Sequence, residues 1–282
     1  YKTMCIALSV IFLSSCATNK SAYLDADYIV ENVNVIAMDK PVATNNMAVA
    51  IKGDKIVAIV DQSSAHRINA NQRIDGEHRY LMPGLADMHV HVRWNPQAMF
   101  NLFLSHGVTT AANMWLLDGD GEIDHLQLRD QIVSGEIAGP RYLVSGVFLG
   151  GDFPATLEEV ESALDEHQKK RIDFVKIHDD LDSEIYNAVI ASAKKRGLNL
   201  RGHAQRNKPL KDSLSLNSLE HMEEFLYVSL DAPFATNNRD DFLSAYRANA
   251  ERLLDAKYRS QVVNDVAASG IYIDPTLIVY KM

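Results

Sequence analysis

The sequence predicts an α/β protein: a parallel (β/α)8 barrel of the TIM type, truncated after its seventh strand and preceded by a small β-sandwich domain. Three observations carry this prediction. After Pro83-Gly84, short apolar strand candidates alternate with helical patterns, and seven such units in succession favour a closed parallel barrel over an open sheet. Before that point the chain shows only short β-rich runs broken by turn residues. The residues able to ligate a metal fall at the C-terminal ends of strand candidates, where barrels of this kind place their chemistry.

Size and charge agree with this prediction. The 282 residues, 47% of them hydrophobic, suffice for one barrel with a smaller appendage. A net charge of -9 argues against a nucleic-acid partner. The two basic runs, Lys169-Lys170-Arg171 and Lys194-Lys195-Arg196, read as solvated helix surface. Cys5 and Cys16 are the two cysteines. Their position excludes a disulfide framework and leaves no thiol nucleophile or ligand in the folded body.

Residues 1–16 read as a signal peptide. The apolar run from Met4 to Leu13 is about ten residues long, too short for a bilayer-spanning helix, which needs about 20. It ends in Leu13-Ser14-Ser15-Cys16, which resembles a bacterial lipobox. That resemblance implies lipidation of Cys16, a polar tether over 17–25 and a place in the bacterial cell envelope, on the periplasmic or outer-membrane side. The only membrane partner is then the lipid anchor. The alternative is an ordinary secretory signal with an incidental cysteine. Tyr1 is not Met, so the start of translation is expected upstream.

The β-domain is expected over 26–80. Runs 28–36 and 47–51 are β-rich, and Lys52-Gly53-Asp54-Lys55 is a hairpin signal leading into 56–60. Residues 74–83 read as another strand pair, with only a weak helical hint at 63–69. The barrel is expected over 81–282, with strands at 86–91, 108–113, 141–147, 174–178, 199–203, 218–221 and 271–276. Helices are expected at 158–171 and 183–196, the second closed by Gly197, and one long helical connection over 240–268.

The chemistry begins with Asp87-Met-His89-Val-His91. Residues i and i+2 of a strand share a face, so His89 and His91 both point inward at the strand's end. Neutral imidazole is the commonest metal ligand, and two on one strand form a ready grip. Lys176 lies in an apolar strand where burying an amine is costly. His203 and His221 end two further strands. Satisfied core histidines with a snorkelling lysine are the bland alternative, but convergence of four strands on one rim favours a metal site.

These motifs can be set beside a known family. Pro83-Gly-Leu-Ala-Asp-Met-His-Val-His91, Gly107-Val-Thr-Thr110, Val175-Lys-Ile177, Gly202-His-Ala204 and Glu220-His221, in this order, resemble the amidohydrolase superfamily, in particular its imidazolonepropionase- and prolidase-like branch. The resemblance runs from about Tyr28 to the last residue. It implies that His89 and His91 bind one divalent metal, commonly zinc, and that His203 and His221 bind a second. It further implies that Lys176 carries a CO2-derived carbamate bridging the two, a modification that needs a neutral amine. The implied activity is hydrolysis of a carbon–nitrogen bond in a small amide, lactam or dipeptide, through a hydroxide held between the metals.

The family's eighth-strand aspartate, which shuttles a proton, has no counterpart here, and Asp274 belongs to the seventh strand's own motif. The chain therefore reads as an N-terminal portion of a lipoprotein member, expected to be inactive if it ended at Met282. A mononuclear deaminase is the alternative within the superfamily, and Lys176 counts against it. A non-catalytic metal- or solute-binding lipoprotein is the alternative from another class. Self-association as a homo-oligomer is left open.

Several residues have weaker claims. His178, two residues after Lys176, and Tyr227 are candidates for substrate contact. Asp179 and Asp180 are expected to cap the helix near Ser183. Gly150-Gly151-Asp152 reads as a turn or a pocket rim. Trp94 and Trp115 line a pocket or pack loops. His66, His78, His106, His125 and His167 are assigned no role.

Overall fold

The computed structural model describes residues 23–114, 123–231 and 239–277. The signal segment, the lipidation candidate Cys16, most of the tether and Trp115 lie outside the described residues. The chain forms two compact units, Tyr1–Pro83 and Gly84–Met282.

The first unit is one mixed sheet built from β1 (Leu24–Val35), β2 (Thr44–Lys52), β3 (Lys55–Asp61), β4 (Ile68–Asp75) and β5 (Tyr80–Leu81). Its order is β3-β2-β1-β4, with β5 also on β1. The expected β2–β3 hairpin is present, with Gly53 at φ 57° in its turn and its N–H donated to Asp27 Oδ2 at 2.7 Å. Among the described residues, the part of the sandwich expected over 26–80 is this one sheet. The stretch read as weakly helical forms a 3-10 helix, Gln62–Arg67, and this crossover returns β4 parallel to β1 rather than as another hairpin. The strand pair expected at 74–83 does not pair with itself; both segments lie parallel on β1. Asn32, at φ 52°, sits where the β1–β2 register shifts between Val30 and Val33, a position that asparagine tolerates better than most residues.

The second unit alternates strands and helices: β6 (Leu85–Val90), α1 (Pro96–Ser105), β7 (Val108–Asn113), α2 (His125–Ser134), β8 (Arg141–Val144), α3 (Leu157–Lys169), β9 (Val175–Ile177), α4 (Ser183–Arg196), β10 (Leu200–Gly202), α5 (Leu210–Ser213), β11 (Ser218–Glu220), α6 (Glu224–Tyr227), α7 (Arg239–Leu254), α8 (Ala256–Ser269) and β12 (Tyr272–Asp274). Strands β6-β7-β8 and β9-β10-β11-β12 form two parallel sheets. Parallel bridges Ser145–Phe174 and Leu149–Ile177 join them, so seven strands follow one another in chain order. Repeated βα units dictate parallel pairing of this kind.

A core of Leu149, Val160, Leu164, Val175, Ile177 and Val189 packs α3 and α4 against the strand that carries Lys176. All three residues of β9 are buried, which fixes the lysine's backbone rigidly. Helix α3 opens on a Thr156–Glu159 capping box and α4 closes on Gly197 in the left-handed region. Two expectations are corrected here. The α4 cap is Asp182, whose side chain accepts from Glu184 N at 2.8 Å, while Asp179 and Asp180 turn elsewhere. The single helix expected over 240–268 is two, because Asp255 accepts from Tyr258 N at 2.7 Å and so starts α8 afresh.

Strand β10 comes close to β9 at Gly202, where an added Cβ would lie 2.2 Å from the Ile177 carbonyl oxygen. Gly202→Ala is therefore expected to destabilise the protein by about 3 kcal/mol or more, since overpacked backbone cannot yield. A shift in the urea midpoint corresponding to less than 1 kcal/mol would contradict this close packing.

Candidate metal centre

The C-terminal ends of the parallel strands bring five imidazoles into one row. Ring centroids lie 5.3 Å apart for His91–His89, 4.6 Å for His89–His221, 4.8 Å for His221–His203 and 4.6 Å for His203–His178. His89 comes from β6, and His91 from the loop that follows it. Asn113, fully buried at the end of β7, accepts from Val92 N at 2.9 Å and orders that loop. His178 and His203 follow β9 and β10. Their loops are tied together by Gln205, which accepts from Leu181 N at 2.7 Å, and by Asp180, which accepts from Arg206 N at 2.5 Å. His221 leaves β11 at φ 72° and its Nδ1 lies 2.7 Å from Thr276 Oγ1.

Lys176 sits among these groups, 2% exposed, and among the described residues its Nζ has no hydrogen-bond partner. Burial holds its ammonium down at about 8, against 10.5 ordinarily, and nearby Arg201 pushes the same way. Burial likewise lowers His203 well below its usual range and His221 to about 4, with Lys176 adding repulsion in both. His91 also falls to about 4, through partial burial and the neighbouring His89 and Arg93. Neutral imidazoles and a readily neutralised amine are the protonation states that ligation requires. The residues therefore fit divalent cations.

Carboxylates complete the surroundings. Donor atoms of His89, Glu220 and Asp274 all lie within 4.8 Å of one another, with His89 Nδ1 2.7 Å from Glu220 Oε2. Glu224, 1% exposed, has one carboxylate oxygen without a partner, and burial raises its carboxyl to about 7. Arg206 lies over the Tyr227 ring at 4.3 Å, which puts Tyr227 on the Glu224 side of the row. Trp94 is 87% exposed at φ 56°. The Gly150–Gly151 segment is a turn packed on the following loop, with Gly151 N donating to Asp180 O at 3.1 Å. A cavity of about 880 Å³ is lined by Met88, Phe174, Arg201 and Asp274.

Sequence reasoning missed Glu220, Arg201 and Asn113. Period-two alternation sends neighbours to opposite faces, so reading His221 as inward hid Glu220. The left-handed turn at His221 lets both contribute. Arg201, two residues before His203, was visible by the same alternation.

No protein-family model matches the chain. An adenine deaminase of Staphylothermus marinus is 33% identical over 90 residues, 30% of this chain and 15% of that protein. A 5'-deoxyadenosine deaminase of Methanococcoides burtonii is 29% identical over 143 residues, 50% of this chain and 31% of that protein. The matched segments thus span less than a third of either relative. Among solved structures, an Xaa-Pro dipeptidase with bound methionine superposes with a TM-score of 0.56 at 18% identity, covering 87% of this chain and 78% of that one. A prolidase complexed with N-methylphosphonate-L-proline gives 0.60 at 17% identity, with coverages of 88% and 78%. The chain shares the fold of these two solved structures.

Proposed function

We propose that this chain carries the metal centre of a hydrolase acting on a carbon–nitrogen bond of a small molecule, an amide, lactam or dipeptide. The observation that carries the reading is the row of imidazoles beside a buried, unpartnered Lys176. His89 and His91 would hold one divalent ion, His203 and His221 a second, with Lys176 as a carbamate between them. When bound, such ions supply Lewis-acid polarisation of the scissile carbonyl and an acidified water. Lys176 contributes an amine that burial keeps near neutrality, the form that takes up CO2. His178 and Tyr227 would face the substrate, where ring and phenol orient a small polar group.

A deaminase is the second reading, favoured by the names of the two relatives in sequence. The bridging role given to Lys176 is what separates the two. The lipobox-like Leu13-Ser14-Ser15-Cys16 supports an enzyme tethered to the cell envelope.

The test uses the full-length protein, with metal content measured by mass spectrometry and turnover on panels of dipeptides, lactams and aminopurines. Two metals per chain and release of amino acids, lost on chelation and restored by zinc, are expected. Ammonia from an aminopurine with one metal would favour the deaminase, and absence of metal and turnover would sink both readings.

A further inference from the structure

We propose that Glu220, clamped by Arg201, is the positioning residue that presents His89 to a metal. Glu220 is fully buried at the end of β11, and both of its oxygens are engaged. Oε2 lies 2.7 Å from His89 Nδ1. Oε1 accepts from Arg201 Nε at 3.1 Å and from Ser218 Oγ, and Arg201 Nη2 stands 2.9 Å away as an ion-pair partner. Arg201 Nη2 also donates to Met88 O at 2.8 Å, the carbonyl just before His89. Strands β6, β10 and β11 are thereby tied to one carboxylate.

An ionised carboxylate only accepts hydrogen bonds. The hydrogen it shares with His89 therefore sits on Nδ1, which leaves the Nε2 lone pair free and fixes the ring's rotation. A carboxylate behind a ligating imidazole also raises the ring's basicity. Arg201 compensates the buried negative charge, without which the pair would be costly. Glu220 is poorly placed to ligate directly, because that would surrender donors from three side chains. Asp274 is the weaker candidate for this positioning role, since it stands 3.7 Å from Arg201 Nη2 as an ion pair while Glu220 Oε2 lies 2.7 Å from the His89 ring.

The inference rests on the metal-dependent reading, and the experiment separates the two. Histidine labelled with 15N in the metal-free, full-length protein reports the His89 tautomer, and a chromophoric chelator reports zinc affinity. The wild type is expected to show His89 protonated on Nδ1 and to bind zinc. Glu220→Gln is expected to lose that fixed tautomer and to bind zinc about 10- to 100-fold more weakly, while Glu220→Asp recovers part of the affinity. An Nε2-protonated His89 in the wild type overturns the proposal without any variant, which covers a Gln variant that fails to fold. Zinc affinity of Glu220→Gln within threefold of wild type also overturns it. A wild type that binds no zinc would instead overturn the metal reading, and this proposal with it.

Discussion

Replacing Lys176 with Met is expected to abolish turnover while leaving the metal-free protein more stable than the wild type. The amine is buried with no hydrogen-bond partner among the described residues, and burial outweighs the attraction of Glu220, Glu224 and Asp274, so its charge is a net cost to the fold unless a ligand or modification compensates it. A fall from 10.5 to about 8 corresponds to about 3 kcal/mol of destabilisation at neutral pH. The sign follows from proton counting. Below pH 8 both folded and unfolded chains hold the proton, and the full cost is present. Between about 8 and 10.5 the unfolded chain holds it alone, so stability rises with pH across that window. Methionine is close in volume and carries no charge. The variant should therefore gain up to about 3 kcal/mol at pH 7 and show a flatter pH profile, with the gain fading by pH 11. Turnover should drop at least about 10³-fold, the several kcal/mol that a metal centre supplies. Urea unfolding across pH and initial rates measure both. A variant within tenfold of wild-type activity, or one less stable at pH 7, would contradict the assignment.

The opposite stability change is expected at His89. His89→Ala removes the ring that contacts both His91 and His221, and so should abolish tight metal binding. It also strips Glu220 Oε2 of its donor in a fully buried position. An unsatisfied buried acceptor costs about 1–3 kcal/mol, so the metal-free variant should unfold at lower urea by that amount. The two substitutions thus share a loss of function and differ in the sign of their effect on folding. Unfolding at pH 7 after chelation, with zinc titrated separately, distinguishes them. A His89→Ala protein as stable as wild type would show that the bond to Glu220 contributes nothing.

Much of the second unit was legible because its signals are local. Residues 108–113 and 183–196 carry their own period and end signals, and the structure gives β7 and α4 those same bounds. Histidines were found because side chains at strand ends share a face by simple alternation, and the structure does bring His89, His91, Lys176, His203 and His221 to one region. What was illegible depends on distant partners or on breaks in the period. Asp255 interrupts a run whose helical periodicity continues on both sides, so α7 and α8 looked like one helix. Asp182 could not be told from Asp179 and Asp180 until their partners were known. The single sheet of the first unit depends on a crossover at 62–67 whose direction no local pattern encodes. Glu220 acquires its meaning only from Arg201 and His89, 19 and 131 residues away in sequence.

The spacing of the imidazole row has a geometric origin. His178, His203 and His221 follow three consecutive parallel strands, and their rings stand 4.6 and 4.8 Å apart, close to the roughly 4.8 Å pitch between hydrogen-bonded strands. The backbone ladder therefore acts as a ruler for the donors. Swapping neighbouring side chains can rotate a ring or change its tautomer, but it cannot widen the row without breaking β9–β10–β11 pairing. Adaptation of such a site to a larger ion or a bulkier substrate would have to come from the loops beyond the strands, with the ruler itself left unchanged.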